Sequence, residues 1–211
     1  MSYRVAVMVS GEGTNLQALL DTVHRREGIE IVAVAANRSD ARALERARDA
    51  RVQTGVFMKN EYASREQRDA LMGDWFEGKG VDLVVLAGFM EILSPSFVRR
   101  FRGRMINVHP SLLPAFAGID AVEQALEYGV RVTGVTVHFV DEDVDTGPII
   151  AQEAFSLEGY SRDIAAVEKR IHEVEHRLLP EAVRQLARGR LRLDPAGGRR
   201  VLFEEEADGD D

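Results

Sequence analysis

The stretch Arg4-Val-Ala-Val-Met-Val-Ser-Gly-Glu-Gly-Thr-Asn-Leu16 decides the fold class. Its first seven residues form a nearly continuous apolar run, which is typical of a strand buried on both faces of a parallel sheet. Two glycines then supply a tight turn. A helix as far as residue 24 is predicted by the leucine spacing that follows, at positions 16, 19 and 20. Strand, turn and helix in this order are typical of the opening unit of an α/β fold.

Apolar strands and amphipathic helices keep alternating along the chain. Further strands are predicted at residues 30–36, 52–57, 81–87, 133–140, 149–155 and 191–193. Further helices are predicted at residues 40–50, 64–77, 120–128 and 161–187. Ser64 and Gln67 resemble a capping box, and Pro180 predicts a kink or break in the last helix. We therefore expect a doubly wound, mostly parallel, Rossmann-like α/β sheet with a mixed C-terminal edge and a long C-terminal helix.

Composition indicates one globular domain, predicted over residues 1–195, followed by an acidic, mobile tail over 196–211. The net charge is −8, but residues 204–211 carry six acids and no base, so the rest of the chain sums to only −2. The absence of cysteine excludes a disulfide framework and thiol catalysis. No apolar run approaches the roughly 20 residues of a membrane helix, and residue 4 already enters a strand. We expect a cytoplasmic protein without membrane or nucleic-acid partners.

Three polar side chains are predicted to meet at one edge of the sheet. Asn107 and His109 end a short apolar strand, and Asp145 follows the β-branched strand at 133–140. If the two strands are neighbours, a carboxylate beside the imidazole favours its protonated form, which can give up a proton near neutral pH. The amide can donate a hydrogen bond to a developing oxyanion. This combination favours acyl transfer to a nucleophile that the substrate brings.

The glycine turn after the first strand predicts an anion site. Main-chain N–H groups and the positive end of a helix dipole converge there, and Thr14 or Asn15 is suited to cap the helix. A dinucleotide is disfavoured because Leu16 occupies the third glycine position of the G-x-G-x-x-G motif and no acid ends the second strand. No Gly-Lys-Ser/Thr follows either. A tight turn that binds nothing is the alternative.

Four motifs together resemble the phosphoribosylglycinamide formyltransferase family, the folate-dependent enzymes of purine synthesis. They are Ser10-Gly11-x-Gly13-Thr14-Asn15-Leu16, Ala87-Gly88-Phe89-Met90-x-Ile92-Leu93, Asn107-x-His109-Pro110-Ser111-Leu112-Leu113-Pro114 and Asp145-x-Gly147-Pro148. The resemblance runs from residue 4 to residue 193. The third motif and the later aspartate are shared by the wider formyltransferase group, so they indicate the chemistry more firmly than the acceptor.

The resemblance implies transfer of the formyl group of 10-formyltetrahydrofolate to the amine of 5-phosphoribosylglycinamide, with no metal. His109, made more basic by Asp145, donates a proton, and Asn107 stabilises the oxyanion. The implied ribonucleotide contacts are Gly11, Glu12, Gly13, Thr14, Asn15 and Glu175. The implied folate contacts are Arg65, Met90, Glu91, Ile92, Leu93, Asn107, Val140, Asp141 and Asp145. We expect small-molecule substrates and a monomer or homodimer.

Two residues depart from the family pattern. Glu91 stands where relatives often have arginine near the folate tail, so a favourable contact is expected to be absent or reversed. Glu12 lies inside the glycine turn, and we expect its side chain to point to solvent so that it does not repel a phosphate. His138 is either a support of the site or a satisfied core histidine.

Other functions stay open at this point. Formyltetrahydrofolate deformylase is the nearest, although such enzymes typically carry an N-terminal regulatory domain and this catalytic domain begins at residue 4. A tRNA substrate is disfavoured because no basic domain follows. A folate or phosphate sensor is a non-enzymatic alternative. His172-Glu173-x-x-His176 satisfies the zinc-protease motif, but no third-ligand motif follows it and Pro180 comes one turn later.

Overall fold

A seven-stranded sheet forms the centre of the molecule in the computed structural model, which describes residues 2–160, 163–194, 196 and 198–203. Its strand order is β3-β2-β1-β4-β5-β6-β7. The strands are β1 (Tyr3–Val9), β2 (Ile29–Ala36), β3 (Gln53–Val56), β4 (Leu83–Leu86), β5 (Met105–His109), β6 (Val132–Phe139) and β7 (Ile149–Ser156). The first five are parallel to one another, β6 is antiparallel to β5, and β7 is antiparallel to β6. The predicted mostly parallel sheet with a mixed edge is confirmed.

Helices cover both faces of this sheet. They are α1 (Thr14–Thr22), α2 (Ala43–Asp49), α3 (Arg65–Gly78), α4 (Pro95–Arg100), α5 (Ala121–Tyr128) and α6 (Ile164–Ala187), with a 3₁₀ turn at Lys59–Glu61. Alternate residues of β1 belong to two separate apolar clusters, Val5 and Val7 to one and Ala6 and Met8 to the other. Because neighbouring residues of a strand point to opposite faces, β1 is buried on both sides as predicted.

The start of α1 differs from the predicted cap. Gly13 is the N-cap, in the left-handed region at φ 71°, and no side chain caps the helix. A Cβ at this position would lie 2.5 Å from the Cβ of Ala43, so a side chain here would collide with α2. The prediction of Thr14 or Asn15 as cap is therefore wrong. Asn15 instead turns its side chain to Glu175 on α6.

The capping of α3 is confirmed with one change of partner. Ser64 Oγ accepts from the Gln67 N–H at 3.2 Å. The Gln67 side chain accepts from the N–H of Ala63 at 2.8 Å, one residue before the cap. Both interactions satisfy donors that a helix start leaves without a partner.

The last long helix runs through its proline. α6 extends from Asp163, whose side chain caps it by accepting from the Ala166 N–H at 3.1 Å, to Ala187 with Pro180 inside. Of the predicted kink or break at Pro180, the break is wrong and the kink stays a prediction. Proline removes one helical hydrogen bond, but Leu179, Pro180 and Val183 are buried and hold the helix against the molecule. None of the helices within the described ranges is long and apolar enough to cross a membrane.

A small hairpin follows α6. β8 (Leu191–Leu193) pairs antiparallel with β9 (Val201–Phe203), so the predicted strand at 191–193 is confirmed. The folded part of the chain extends into the segment predicted as a tail from residue 196. Residues 204–211, where the predicted tail has its six acids, lie outside the described residues, and the tail stays a prediction.

Candidate active site

Three polar side chains share one face at the junction of β5 and β6. Asn107 and His109 are two residues apart on β5 and therefore point to the same face. His138 on β6 is the direct cross-strand partner of Asn107. On that face Met105 still belongs to the apolar cluster beneath α3 and α4. On this face of β5 the side chains therefore change from apolar at Met105 to polar at Asn107 and His109.

His109 is held through both of its ring nitrogens. It is 4% exposed. Nδ1 lies 3.3 Å from a carboxylate oxygen of Asp145, and Nε2 lies 2.8 Å from the carbonyl oxygen of Phe116. An imidazole nitrogen donates to oxygen only when it carries a proton, so the doubly protonated ring satisfies both contacts. With Nδ1 held by the carboxylate, Nε2 is the nitrogen that can deliver a proton to a ligand.

The loop after His109 is pinned by the residue opposite it on β6. Thr136 Oγ1 donates to the Ser111 carbonyl at 2.7 Å and accepts from the Leu113 N–H at 3.1 Å. Ser111 Oγ in turn donates to the Ala115 carbonyl at 2.6 Å. These bonds place the next residue, Phe116, whose φ is 54°, so that its carbonyl faces the imidazole.

Asp145 lies on the connection between β6 and β7. It adopts a left-handed conformation at φ 54°, which aspartate tolerates better than most residues. Its carboxylate accepts from the main-chain N–H of Gly118 at 2.8 Å and from Asn107 Nδ2 at 3.3 Å. The connection can fold this tightly because residue 147 is glycine: a Cβ there would lie 1.7 Å from the Phe139 carbonyl oxygen.

The environment of Asp145 favours its charged form. Burial acts to raise its pKa, but hydrogen bonding to His138 and to the Gly118 N–H, together with the positive charge on His109, outweighs burial and lowers the pKa. The carboxylate is therefore available as a charged partner for His109 throughout the neutral pH range.

His138 orients the amide of Asn107. Its Nδ1 lies 2.9 Å from the carbonyl oxygen of Phe139, so Nδ1 carries a proton and Nε2 is an acceptor in the neutral ring. In the neutral ring Asn107 Nδ2 donates to that Nε2 at 3.2 Å. In the protonated ring Nε2 is a donor, and it faces the Asp145 carboxylate 3.6 Å away. His138 also lines the cavity, which favours a support of the site, the first of the two alternatives that its position in the sequence left open.

A cavity of about 420 Å³ opens in front of this polar group, within the range usual for small-ligand pockets. Six of the predicted folate contacts besides Asn107 and Asp145 line it: Met90, Glu91, Ile92, Leu93, Val140 and Asp141. Large apolar side chains at its rim are exposed to solvent: Met90 is 74%, Ile92 64% and Ile119 76% exposed. The cavity suits a flat ligand whose polar edge reaches Asn107 and His109.

Sequence reasoning missed part of this lining. Val98, Gly118 and Ile119 also line the cavity. The loop at residues 116–120 comes over the site because Phe116 and Asp120 adopt positive φ angles, 54° and 57°. Gly118 in the sequence was the one signal of such a turn, and a glycine alone does not tell which strand end the turn will face.

The glycine turn lies beside the cavity and is tied to it by Ser10. The Ser10 N–H donates to the Gly88 carbonyl at 3.1 Å, and Ser10 Oγ accepts from the Met90 N–H at 2.8 Å. No residue from 11 to 15 lines the cavity itself. In the described part of the chain, nothing accepts a hydrogen bond from the N–H groups of residues 11–14, which leaves these donors available to an anion.

The side chain of Glu12 points away from these donors, as predicted. It is 70% exposed and lies 3.4 Å from Arg42. Arg46 donates to the main-chain carbonyl of Glu12 at 2.9 Å and to the Gln17 side chain at the same distance, which braces the turn from behind.

Glu175 meets the glycine turn from α6. Its carboxylate accepts from Asn15 Nδ2 at 2.9 Å, and the residue is 5% exposed. Burial raises the pKa of Glu175 more than the Asn15 hydrogen bond and the charge of His172 lower it. The structure thus brings together Asn15 and Glu175, two of the predicted ribonucleotide contacts, but outside the lining of the cavity.

Glu91 and Arg65, two of the predicted folate contacts, have different surroundings. Glu91 pairs with Arg68, a 1% exposed arginine whose Nε also donates to Asp69 at 2.8 Å. Its charge is therefore balanced from beneath and is not a free negative charge at the cavity. Arg65 pairs with Glu66 at 3.6 Å at the start of α3 and does not line the cavity, so its contact with folate stays a prediction.

The zinc-protease motif lies on α6, away from this cavity. His172 and His176 stack with ring centroids 6.0 Å apart. Within the described ranges, no group of three or more His, Cys, Asp or Glu side chains is arranged to hold a metal ion. The motif therefore has two stacked imidazoles on one helix face but no third ligand among those residues.

Comparisons with known proteins agree with the geometry. The formyl transferase family matches residues 3–183. A phosphoribosylglycinamide formyltransferase of Haemophilus influenzae is 40% identical over 192 residues, which are 90% of this chain and 90% of that protein. The trifunctional purine biosynthetic protein adenosine-3 of Bos taurus is 43% identical over 92% of this chain, which spans only 19% of that protein. The crystal structure of glycinamide ribonucleotide transformylase 1 from Symbiobacterium toebii matches with a TM-score of 0.90 and 45% identity, covering 97% of this chain and 95% of that one.

Proposed function

This chain belongs to the formyl transferase family, and we propose that it formylates 5-phosphoribosylglycinamide in purine biosynthesis, with 10-formyltetrahydrofolate as the formyl donor. The chain is a transferase that acts on small molecules. The acceptor is supported by the Haemophilus influenzae relative, whose whole length this chain nearly matches. The observation that carries the chemistry is the meeting of His109, Asn107 and Asp145 at the wall of one cavity.

The residues at the cavity fit a formylated folate. The apolar rim at Met90, Ile92 and Ile119 can cover the faces of flat rings, and the main-chain groups of residues 88–93 and 140–145 border the same space. The rings would then lie between two loops, with the formyl group toward Asn107. When bound, the folate supplies a formyl group on a nitrogen that becomes a good leaving group once it is protonated.

In the net reaction the acceptor amine forms a bond to the formyl carbon, the bond from that carbon to folate N10 breaks, and one proton passes from amine to N10. His109 serves the proton step from Nε2, exchanging the Phe116 carbonyl for a ligand atom, while Asp145 holds Nδ1. General acid–base catalysis of this kind is worth about 10²–10⁴ in rate.

Asn107 serves the oxygen of the formyl group, which gains negative charge as the amine adds. The amide has two N–H groups, of which one donates to His138 at 3.2 Å and the other to Asp145 at 3.3 Å. The N–H that faces Asp145 is the one available to the formyl oxygen, because the other N–H is held by His138. Such a donor to an oxyanion is worth about 10²–10³ in rate.

The glycine turn serves the acceptor. Free N–H groups at residues 11–14 bind the ribose phosphate, and Glu175 with Asn15 binds the ribose hydroxyls at the start of α1. This arrangement would present the amine to the cavity across Ser10, which joins the turn to the loop at residues 88–93.

The test is a transfer assay with 10-formyltetrahydrofolate and candidate amines, one at a time, on the wild type, His109→Ala and His172→Ala. We expect formyl transfer only with phosphoribosylglycinamide, a loss of at least about 10²-fold in kcat for His109→Ala, and unchanged turnover for His172→Ala. His109→Ala should still bind the ribonucleotide in calorimetry. Formate release without the amine would favour a deformylase, and stoichiometric zinc with loss of activity in His172→Ala would favour the protease.

A further inference from the structure

The C-terminal hairpin touches the loop that carries Asp145. We name residues 140–147 the Asp145 loop. Arg199, in the turn between β8 and β9, donates from Nη2 to the main-chain carbonyl of Thr146, the residue directly after Asp145. The hairpin lies beyond residues 3–183, the part of the chain that matches the family. A contact to the site thus comes from a segment outside the family match.

The hairpin is a firm base for this contact. Leu191 is buried, and Leu193 and Val201 pack against the larger apolar cluster. Three residue pairs join the two strands, and the Asp194 N–H donates to the Arg200 carbonyl at 3.1 Å across the turn. Arg199 therefore reaches the Asp145 loop from an element that is itself anchored to the core.

The Asp145 loop needs support from outside. Asp145 has a positive φ angle of 54°, a conformation that is unfavourable for most L-residues, so the neighbouring peptides must be held. Within the loop, Thr146 Oγ1 donates to the Asp141 side chain at 2.6 Å. From outside, Arg99 of α4 pairs with Glu142 at 2.8 Å. Arg199 holds the main chain on the far side of Asp145 from that ion pair.

We propose that Arg199 is a positioning residue for formyl transfer: by binding the Thr146 carbonyl, it keeps the Asp145 loop in the conformation in which Asp145 faces His109. The same loop lines the folate side of the cavity through Val140 and Asp141. Arg199 therefore supports two tasks, the orientation of the imidazole and the closure of the folate pocket. This inference rests on the proposed function.

The contact is exposed to solvent, which sets the size of the expected effect. A single solvent-accessible hydrogen bond contributes modestly, so removing it should change rates by about 3- to 10-fold. The effect should fall on kcat and on the KM for the folate, because both depend on the Asp145 loop. The KM for the ribonucleotide should stay constant, because the loop that Arg199 contacts lines the cavity, whereas residues 11–15 of the glycine turn do not.

The first experiment compares Arg199→Ala, Arg199→Lys and Arg200→Ala in the full chain. Arg200 is the matched control, as its exposed neighbour with the same charge. We expect a 3- to 10-fold lower kcat/KM for the folate in Arg199→Ala, partial recovery in Arg199→Lys, whose ammonium can donate one bond, and wild-type values in Arg200→Ala. Equal kinetics in Arg199→Ala and Arg200→Ala would overturn the proposal.

The pH profile separates positioning from a general loss of structure. His109 from β5 and His138 from β6 face Asp145, with Asp141 in its own loop. A loosened loop weakens the interactions that keep Asp145 ionised, so its pKa rises and the acid limb of kcat/KM moves to higher pH in Arg199→Ala. An acid limb that stays in place, at unchanged melting temperature, would contradict a positioning role.

Hydrogen exchange tests the contact without any turnover. The amides of residues 141–146 should exchange faster in Arg199→Ala than in Arg200→Ala, while those of β5 exchange equally. Equal exchange in the loop would overturn the inference whether or not formyl transfer is found. Absence of transfer in the wild type would instead overturn the proposed function.

Discussion

Two carboxylates of the site, the partly buried Asp145 and the buried Glu175, have pKa shifts of opposite sign. Burial pushes the pKa of both Asp145 and Glu175 upward. Asp145 is met by the Gly118 N–H, Asn107 and two imidazoles, and its pKa ends below the ordinary value. Glu175 has Asn15 as its hydrogen-bond donor, and its pKa stays raised. The more deeply buried acid with the fewer donors keeps a raised pKa, and the less buried acid with more donors does not.

This difference matches the two proposed tasks. Proton transfer needs a fixed charge beside His109, and Asp145 supplies one. Recognition of ribose hydroxyls needs hydrogen-bond partners more than charge, and Glu175 with Asn15 supplies those. A hydroxyl that donates to Glu175 would add the second donor that this carboxylate lacks, so ligand binding is expected to lower its pKa.

The largest effect is expected from a change at Asp145, the charged carboxylate of the two. Asp145→Asn keeps the shape of the side chain but removes the charge and presents an N–H where His109 needs an acceptor. We expect kcat to fall by about 10²–10⁴, with the KM for the ribonucleotide nearly unchanged. Steady-state kinetics measures both. Asp49→Asn, an exposed change on α2, is the control, and a comparable loss there would mean that charge in general is responsible.

Removal of the amide comes next. Asn107→Ala takes away the donor proposed for the formyl oxygen, and it should lower kcat by about 10²–10³. If the KM for the folate rose while kcat held, Asn107 would be a binding residue and not a stabiliser of the developing charge. Asn60→Ala, in the exposed 3₁₀ turn, should behave as the wild type in the same assay.

A smaller effect is expected at His138, which acts through its contact with Asn107. His138→Phe keeps a ring but leaves the Asn107 N–H and the Phe139 carbonyl without their partners. Loss of a buried hydrogen bond of this kind corresponds to about 10-fold in kcat. His138→Gln, which can again accept from Asn107, should recover part of it. Melting temperatures recorded alongside would show whether the loss in His138→Phe is one of folding, and failure of the Gln variant to recover would count against an orienting role.

Much of the fold and the central triad of side chains could be predicted from the sequence. Apolar runs and leucine spacing are local properties, so the strands and helices follow from them. Asn107 and His109 were predictable because residues two positions apart on a strand point to the same face. Asp145 was predicted on the condition that its strand is a neighbour of β5, and the resemblance to the formyltransferases supported it.

The partners that give these residues their properties could not be predicted. The Phe116 carbonyl and the Gly118 N–H are main-chain groups, whose directions depend on the positive φ angles of the loop and not on residue type. The role of His138 depends on the register between β5 and β6, and a shift of one residue would place it on the other face. The pairing of Glu91 with Arg68 joins a loop to a helix 23 residues earlier, which no local pattern reveals.

The smallest effect is expected at Glu175, and it concerns pH more than rate. The folded-state pKa of Glu175 lies above its ordinary value of 4.5, so the folded chain keeps a proton that the unfolded chain has lost. The free energy of unfolding must then fall as pH rises from about the ordinary value through the raised pKa. Glu175→Gln cannot titrate, yet its side-chain oxygen can still accept from Asn15. Denaturant unfolding at a series of pH values should show this fall in the wild type and not in the variant, while the KM for the ribonucleotide rises by less than about 10-fold. Glu173→Gln, exposed on the same helix, should keep the fall. Parallel curves for the wild type and Glu175→Gln would mean that Glu175 is charged in the folded state, and the contrast between the two carboxylates would disappear.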